Sequence, residues 1–151
     1  MGQAFRNIID KQIFHLSASK KLTSWEGLYD EYAGIMYGMI YNLTGDREFA
    51  EKILVAIFFR LKKEGSILKI EHGLCIFLLR YTYNFTLQQL KSYHIQPIQC
   101  DRQLYPEVIN LICTKYSSVR EVASHINISE AEVVKKLQTE FYYLRNKISD
   151  V

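Results

Sequence analysis

The 151-residue sequence is poor in proline, glycine and cysteine, with two, seven and three of these residues. So few prolines and glycines exclude a collagen-like or low-complexity chain. The sequence has no apolar run long enough to cross a membrane, and its first residues lack the apolar core of a signal peptide. The odd number of cysteines indicates reduced thiols in a core rather than a disulfide framework. We therefore expect a cytoplasmic protein that does not contact a membrane.

Apolar residues make up 48% of the sequence and recur at the three- and four-residue intervals of amphipathic helices. This spacing predicts a helix that begins near Ser24 and ends at Gly45, and a second helix that Asp46 caps and Gly65 ends. A third helix over 74–91 is apolar at its start and polar later. We expect it to be buried at one end and exposed at the other.

The last third of the sequence has the pattern of a helix-turn-helix. A segment around Pro97 breaks the helical pattern, and a short helix over 104–115 follows it. Two further helices begin with Ser-x-x-Glu capping boxes at Ser118 and Ser129, and Asn127 stands between them where a left-handed residue is needed. The sequence thus predicts an all-α protein with an N-terminal helical bundle (1–91), a linker (92–104) and a C-terminal helix-turn-helix domain (105–151).

The sequence lacks the common catalytic and cofactor-binding motifs. Its four histidines are scattered, and it has neither a glycine-rich phosphate loop nor an HExxH motif. His94, Cys100 and Cys113 do not have the spacing of a zinc site and lack a fourth ligand. We expect no catalytic residue, no metal and no cofactor, and therefore a binding protein rather than an enzyme.

Two sets of short motifs stand in order along the chain. The first set is Leu28-Tyr-Asp-Glu-Tyr-Ala33, Leu43-Thr-Gly-Asp-Arg-Glu-Phe-Ala-Glu51 and Phe58-Phe-Arg-Leu61. The second set is Ser118-Val-Arg-Glu-Val-Ala123, Ile126-Asn-Ile-Ser129 and Tyr143-Leu-Arg145. These sets resemble conserved regions two and four of the extracytoplasmic-function (ECF) sigma factors. The resemblance implies a helical bundle that docks on RNA polymerase and a helix-turn-helix that reads the minus-35 promoter element.

The resemblance also implies three groups of binding residues. Those expected to bind polymerase are Glu51, Val55, Phe59 and Arg60 on the second helix. Those expected at the minus-ten strand are Arg80, Tyr83, Asn84 and Gln88 on the third. Those expected at the minus-35 element are Ser129, which would hold a phosphate, and Lys135, Lys136 and Gln138 in the major groove. The implied partners are core RNA polymerase, promoter DNA and an anti-sigma factor, and the free protein is expected to be a monomer.

Several of these residues also have a purely structural interpretation. Tyr81 and Tyr83 fit a core as well as a base-stacking surface, and Lys135 and Lys136 also fit a solvated face. Val55 and Ala56 stand where the family has polar residues. They indicate either a partner surface or a wider buried face, and we favour the buried face.

The charge distribution supports an alternative function. Lys52 replaces an acidic residue of the family pattern, and of the basic run on the third helix only Lys91 is left. Residues 92–151 contain seven basic and seven acidic groups, whereas affinity for duplex DNA depends on an excess of Lys and Arg. The alternative is a sigma-like decoy or scaffold protein that has lost promoter recognition. A helix-turn-helix repressor is a third alternative and requires a dimer.

Overall fold

The computed structural model describes residues 24–65, 67, 73–98, 107–116 and 118–147, the last three of them by backbone alone. These residues form six α-helices and no strand, which confirms the predicted all-α class. The helices are α1 (Trp25–Thr44), α2 (Arg47–Glu64), α3 (Leu74–Ser92), α4 (Glu107–Thr114), α5 (Val119–Ile126) and α6 (Glu130–Lys147). None of these six helices is long and apolar enough to span a membrane. Residues 1–23 and 99–106, with Cys100, lie outside the described residues.

Local capping interactions fix the bounds of α1 and α2. The Ser24 hydroxyl accepts a hydrogen bond from the amide of Gly27 (3.1 Å), and the Asp46 carboxylate accepts one from the amide of Phe49 (2.9 Å). Gly45 and Gly65 end the two helices at φ values of 68° and 71°, where a residue with a Cβ would be strained. The sequence prediction of these helix ends is confirmed.

The buried face of α3 runs along its whole length, from Cys75 to Leu90. This corrects the expectation that the helix is buried at one end and exposed at the other. Phe77, in the apolar first half, is 40% exposed, whereas Thr82 and Thr86 continue the buried face through the polar second half. Threonine counts as polar in a sequence pattern, but its methyl group packs well in a core, so the pattern concealed this face.

Helix α1 lies at the centre of the fold and packs against α2, α3 and α6. Helix α4 packs against α3 and against α5 and α6. The buried apolar side chains of the first three helices and of the last three therefore form one continuous core. The boundaries given above for two domains and a linker remain a prediction.

Helices α1 and α6 meet at Gly38. An ideal Cβ on Gly38 would lie 2.7 Å from the carbonyl oxygen of Leu144, which is closer than real Cβ atoms come to a backbone atom. The missing side chain therefore allows the backbones of the two helices to come into contact.

A separate contact joins α3 and α4. The Cys113 thiol of α4 donates a hydrogen bond to the carbonyl oxygen of Leu79 in α3 (3.6 Å).

Residues 93–98 follow α3 and return to the turn between α1 and α2. The backbone amide of Ile98 donates a hydrogen bond to the carbonyl of Leu43 (2.9 Å), and the Ile98 side chain fills the space beside Gly45. The Tyr93 ring packs edge-on against Phe49, with 5.5 Å between the ring centroids. The first part of the predicted linker is thereby held against α1 and α2.

Candidate nucleic-acid and protein interfaces

Helix α2 carries an exposed apolar pair on a charged face. Val55 is 66% exposed and Phe59 is 69% exposed, and a separation of four residues places them side by side. Glu51 is exposed on the same face, and Glu48 and Lys52 form an exposed salt bridge beside it (3.2 Å). The exposure of Val55 corrects, for this residue, the interpretation that we favoured, a wider buried face, whereas Ala56 is half-buried and packs against the core. The buried residues of α2 lie on the opposite side of the helix and are Ala50, Ile53, Leu54, Ile57 and Leu61.

Arg60 lies at the edge of this face, toward α3. Its guanidinium carbon is 5.3 Å from the ring centroid of Phe85, within the range of a cation–π interaction. Phe85 ends a column of three stacked rings on α3, in which Phe77 and Tyr81 are 5.9 Å apart and Tyr81 and Phe85 are 6.2 Å apart. Arg60 therefore connects α2 to α3, whereas Glu51, Val55 and Phe59 extend into solvent.

Three of the four residues expected at the minus-ten strand share one face of α3. Arg80, Asn84 and Gln88 follow one another at intervals of four residues, with Asn84 and Gln88 exposed and Arg80 half-buried. Tyr83 lies apart from them. It is half-buried and lines a small cavity with side chains of α1, α4 and α6, namely Met39, Asn42, Ile109, Asn110, Cys113 and Leu144.

The surroundings of Tyr83 favour the core interpretation of this residue. Burial raises the pKa of the Tyr83 hydroxyl, and the nearby Cys113 raises it further. Burial also raises the pKa of the Cys113 thiol to about 12, so the thiol is protonated and donates its hydrogen bond to Leu79. In the observed packing, Tyr83 is thus part of the contact between α3 and α4. Tyr81 is half-buried within the ring column.

Helix α5, a three-residue connection (127–129) and α6 follow one another in the predicted order. Asn127 ends α5 in the left-handed conformation, with φ 57° and ψ 44°. The Ser129 hydroxyl accepts a hydrogen bond from the amide of Glu132 (3.2 Å), and the Ser129 amide donates one to the Glu132 carboxylate (3.0 Å). This reciprocal capping box begins α6. At the start of α5, the Ser118 hydroxyl accepts a hydrogen bond from the amide of Glu121 (3.2 Å).

The residues expected at the minus-35 element differ in exposure. Lys135 and Lys136 are exposed in the first half of α6, and Gln138 is half-buried. The Ser129 amide is bonded to the Glu132 carboxylate, which a phosphate would have to displace. Thr139 is also exposed, and Tyr142 is 72% exposed. The sequence analysis missed both residues, although they stand four and seven positions after Lys135 and therefore on its side of the helix.

Glu140, another residue that the sequence analysis missed, joins α6 to α4. Its two carboxylate oxygens accept hydrogen bonds from the amides of Val108 (2.8 Å) and Ile109 (3.0 Å). First-turn amides have no partner within their own helix, so this carboxylate completes the start of α4. Burial raises the pKa of Glu140 to about 7, although the two amide hydrogen bonds lower it. The Glu107 carboxylate raises it further, and the Lys136 ammonium lowers it.

The part of the chain that the structure describes contains no group of three or more His, Cys, Asp or Glu side chains that could hold a metal ion. Comparisons of the chain with protein-family models, with curated proteins and with solved structures give no match. We therefore argue the function from the surfaces described above and from the resemblance of the sequence motifs.

Proposed function

We propose that the protein is a divergent ECF-like sigma factor, which binds core RNA polymerase through α2 and promoter DNA through α3 and α6. The observation that supports this most is the exposure of Val55 and Phe59. Large apolar side chains grouped on an otherwise charged surface are typical of protein-binding surfaces, because a partner removes them from water. The pair lies on the helix that the motif resemblance assigns to the polymerase.

On α3, the row of Arg80, Asn84 and Gln88 has the chemistry for contact with a separated DNA strand. Asn and Gln side chains each offer a donor and an acceptor to the edge of an unpaired base, and Arg offers a charge to the phosphates. Phe77 lies on the same helix and is 40% exposed, so its ring offers a surface on which a base can stack.

On α6, Lys135 and Lys136 supply the positive charge for duplex DNA. Both stand early in α6, and lysines at this position of a recognition helix can reach the phosphates when the helix enters the major groove. Thr139 and Tyr142 extend the same exposed surface by two turns. The mechanism is one of binding alone: α2 holds the polymerase, α6 positions the complex on duplex DNA, and α3 holds the strand that separates.

The test is binding to purified bacterial core RNA polymerase by wild-type protein and by the double variant Val55→Ser plus Phe59→Ser. We expect the double variant to bind about tenfold more weakly or worse, since each of these exposed side chains would be buried by the polymerase and would then contribute about 1 kcal/mol or more. Ile95→Ser, a change at another exposed apolar residue, is the control and should bind as wild type does. Failure of the wild-type protein to bind the polymerase would refute the proposed function.

A second candidate function is a sigma-like decoy or scaffold that binds polymerase without directing it to promoters. It is favoured by the acidic start of α6, where Glu130 and Glu132 precede the two lysines and Glu132 occupies the Ser129 amide. Promoter-dependent transcription by the purified complex separates the two functions, because a decoy binds polymerase but does not initiate. Light scattering on the free protein tests the dimeric repressor, which must be twice the mass of the 17.8 kDa chain.

A further inference from the structure

The segment that follows α3 exposes three large apolar side chains, those of Tyr93, Ile95 and Ile98. Contacts at both of its ends hold this segment in place. The Tyr93 ring packs against Phe49, and the Ile98 amide bonds to the Leu43 carbonyl. The exposed side chains therefore belong to an ordered surface, which a partner can bind without first ordering the segment.

An open groove lies between this segment and the last turns of α3. Leu87, Leu90, Ile95 and Pro97 form its apolar wall. The volume of the groove is about 240 Å³, whereas pockets for small-molecule ligands begin at roughly 300 Å³. A groove of this size suits one or two side chains of a peptide better than a nucleotide-sized ligand.

The groove also has two polar side chains that donate hydrogen bonds, those of Lys91 and His94. Backbone carbonyls at this end of α3 are already bonded. The Leu90 carbonyl accepts a hydrogen bond from the Ile95 amide (2.9 Å), and the Lys91 carbonyl accepts one from the His94 amide (3.1 Å). The groove therefore offers an occupant side-chain donors in place of these helix-end carbonyls.

The charge around the groove favours an acidic occupant. Residues 73–98 contain no Asp or Glu. The two acidic side chains at the start of α2, the helix that Tyr93 contacts, already have partners. The Asp46 carboxylate accepts a hydrogen bond from the Phe49 amide, and Glu48 forms a salt bridge with Lys52. The groove is thus complementary in charge to a carboxylate and in surface to an apolar side chain.

His94 stands at a position where the backbone favours glycine. Its φ is 56°, in the left-handed region that a residue with a Cβ adopts only with strain. The hydrogen bonds from the amides of His94 and Ile95 back to α3 are those of a Schellman motif, in which this position is usually glycine. The chain carries an imidazole here although glycine would end the helix more easily. This supports a role of the side chain in binding rather than in folding.

We propose that the groove binds an acidic peptide segment of a partner protein. A large apolar side chain of the segment packs against Leu87 and Ile95, and a neighbouring carboxylate accepts hydrogen bonds from Lys91 and His94. The observations favour a peptide over a nucleic acid, because phosphates gain nothing from an apolar wall and two basic groups neutralise few of them. None of the residues that line the groove belongs to the surfaces proposed for polymerase or DNA, so the inference does not depend on the proposed function.

The first test is a selection from a displayed library of random dodecapeptides on the wild-type protein. The double variant Lys91→Glu plus Ile95→Ser serves for counter-selection. Peptides that bind the wild type and not the variant should combine a large apolar residue with a neighbouring Asp or Glu. Failure to enrich such peptides would overturn the inference, as would the enrichment of basic peptides.

The second test measures the affinity of an enriched peptide for single variants by fluorescence anisotropy. Lys91→Glu and Ile95→Ser should each weaken binding by about tenfold or more, since each removes one of the two kinds of contact. Lys62→Glu makes the same change in charge at the exposed end of α2 and should bind as wild type does. An equal loss in Lys62→Glu would overturn the inference, because binding would then depend on net charge.

His94→Gly separates a role in binding from a role in folding. It should weaken peptide binding by about fivefold, whereas the midpoint of thermal unfolding should not fall, because glycine adopts the left-handed backbone freely. Unchanged binding would overturn the role of His94.

A reversal of charge gives a further check. A peptide in which Lys replaces the acidic residues should bind Lys91→Glu more tightly than it binds the wild type. No such gain would overturn the assignment of the carboxylate to Lys91. A single-stranded oligonucleotide that binds the wild type more tightly than the peptide does, and is lost in Lys91→Glu, would assign the groove to nucleic acid and overturn the inference.

Discussion

The carboxylate of Glu140 accepts a 2.8 Å hydrogen bond from the backbone amide of Val108, and this bond joins α6 to α4 through residues 32 positions apart in sequence. A second bond, to the amide of Ile109, occupies the other carboxylate oxygen. The pair of bonds gives two first-turn amides of α4 a partner, and it ties the start of α4 to α6.

Glu140 should make the stability of the protein fall as the pH rises from 4.5 to above 7. The pKa of the folded carboxyl, about 7, lies above its ordinary value of 4.5, so the folded protein binds more protons in this range than the unfolded chain does. The stabilisation is therefore fully present below pH 4.5 and is lost as the pH rises through 7, by up to about 3 kcal/mol. Urea titrations at pH 5 and pH 8 measure the free energy of unfolding at the two pH values and hence the difference between them.

Glu140→Gln removes the titrating group and should flatten this dependence. Glu64→Gln changes an exposed carboxylate at the end of α2 and should keep the wild-type difference between the two pH values. Equal pH dependence in wild type and Glu140→Gln would show that the carboxyl of Glu140 does not titrate in this range.

Thr82→Val should stabilise the protein by about 1 kcal/mol, because the buried Thr82 hydroxyl has no hydrogen-bond partner within the described part of the chain. Valine has nearly the same shape and leaves no polar atom unpaired. Thr86→Val is the matched control one turn later. The Thr86 hydroxyl donates a 2.7 Å hydrogen bond to the Thr82 carbonyl, so removing this hydroxyl should not stabilise the protein. A lower midpoint of thermal unfolding for Thr82→Val would contradict this prediction.

Asn127→Ala should lower the free energy of unfolding by about 1 kcal/mol, whereas Asn127→Gly should leave it nearly unchanged. The residue that ends α5 has φ 57°, which alanine adopts only with strain and glycine adopts freely. Chemical denaturation of the two variants measures the difference. The prediction is wrong if both substitutions lower the free energy of unfolding equally, since the loss would then come from the missing Asn side chain rather than from backbone strain.

Lys135→Ala plus Lys136→Ala should weaken binding to a mixed-sequence duplex and reduce the slope of log affinity against log salt by up to about 2. Fluorescence anisotropy at several salt concentrations gives the slope. The control, Lys62→Ala plus Lys63→Ala, makes the same change in net charge at the exposed end of α2. An equal reduction in the control would mean that binding depends on net charge rather than on α6.

The helix ends were predictable because their determinants are local. Asp46, Gly65 and Asn127 each act within a few residues of their own position, and their cap or left-handed conformation follows from side-chain chemistry. The extent of the buried face of α3 was predicted wrongly because Thr82 and Thr86 are polar residues, yet both are buried in the structure.

Contacts between distant helices left no signal in the sequence. From the sequence alone, Glu140 would be assigned to an exposed helix face, but in the structure it bonds to α4. Gly38 would be judged unfavourable within a helix, but in the structure it allows α6 to approach α1. Tyr83 is next to the exposed Asn84 in sequence, and its burial depends on α1, α4 and α6, which line the cavity beside it. For the candidate surfaces, periodicity placed Val55 and Phe59 on one face, but the packing of α1 decided which face of α2 meets solvent.

The bond between the Ile98 amide and the Leu43 carbonyl limits how far from α1 the chain can place the start of α4. From Ile98 to Glu107 the chain advances nine residues, and nine extended residues span about 30 Å at most. Without this bond and the contact of Tyr93 with Phe49, the limit would be set from Ser92 at the end of α3, and the 15 residues from there to Glu107 span at most about 50 Å. The Ile98 bond thus limits the start of α4 to within about 30 Å of the turn between α1 and α2.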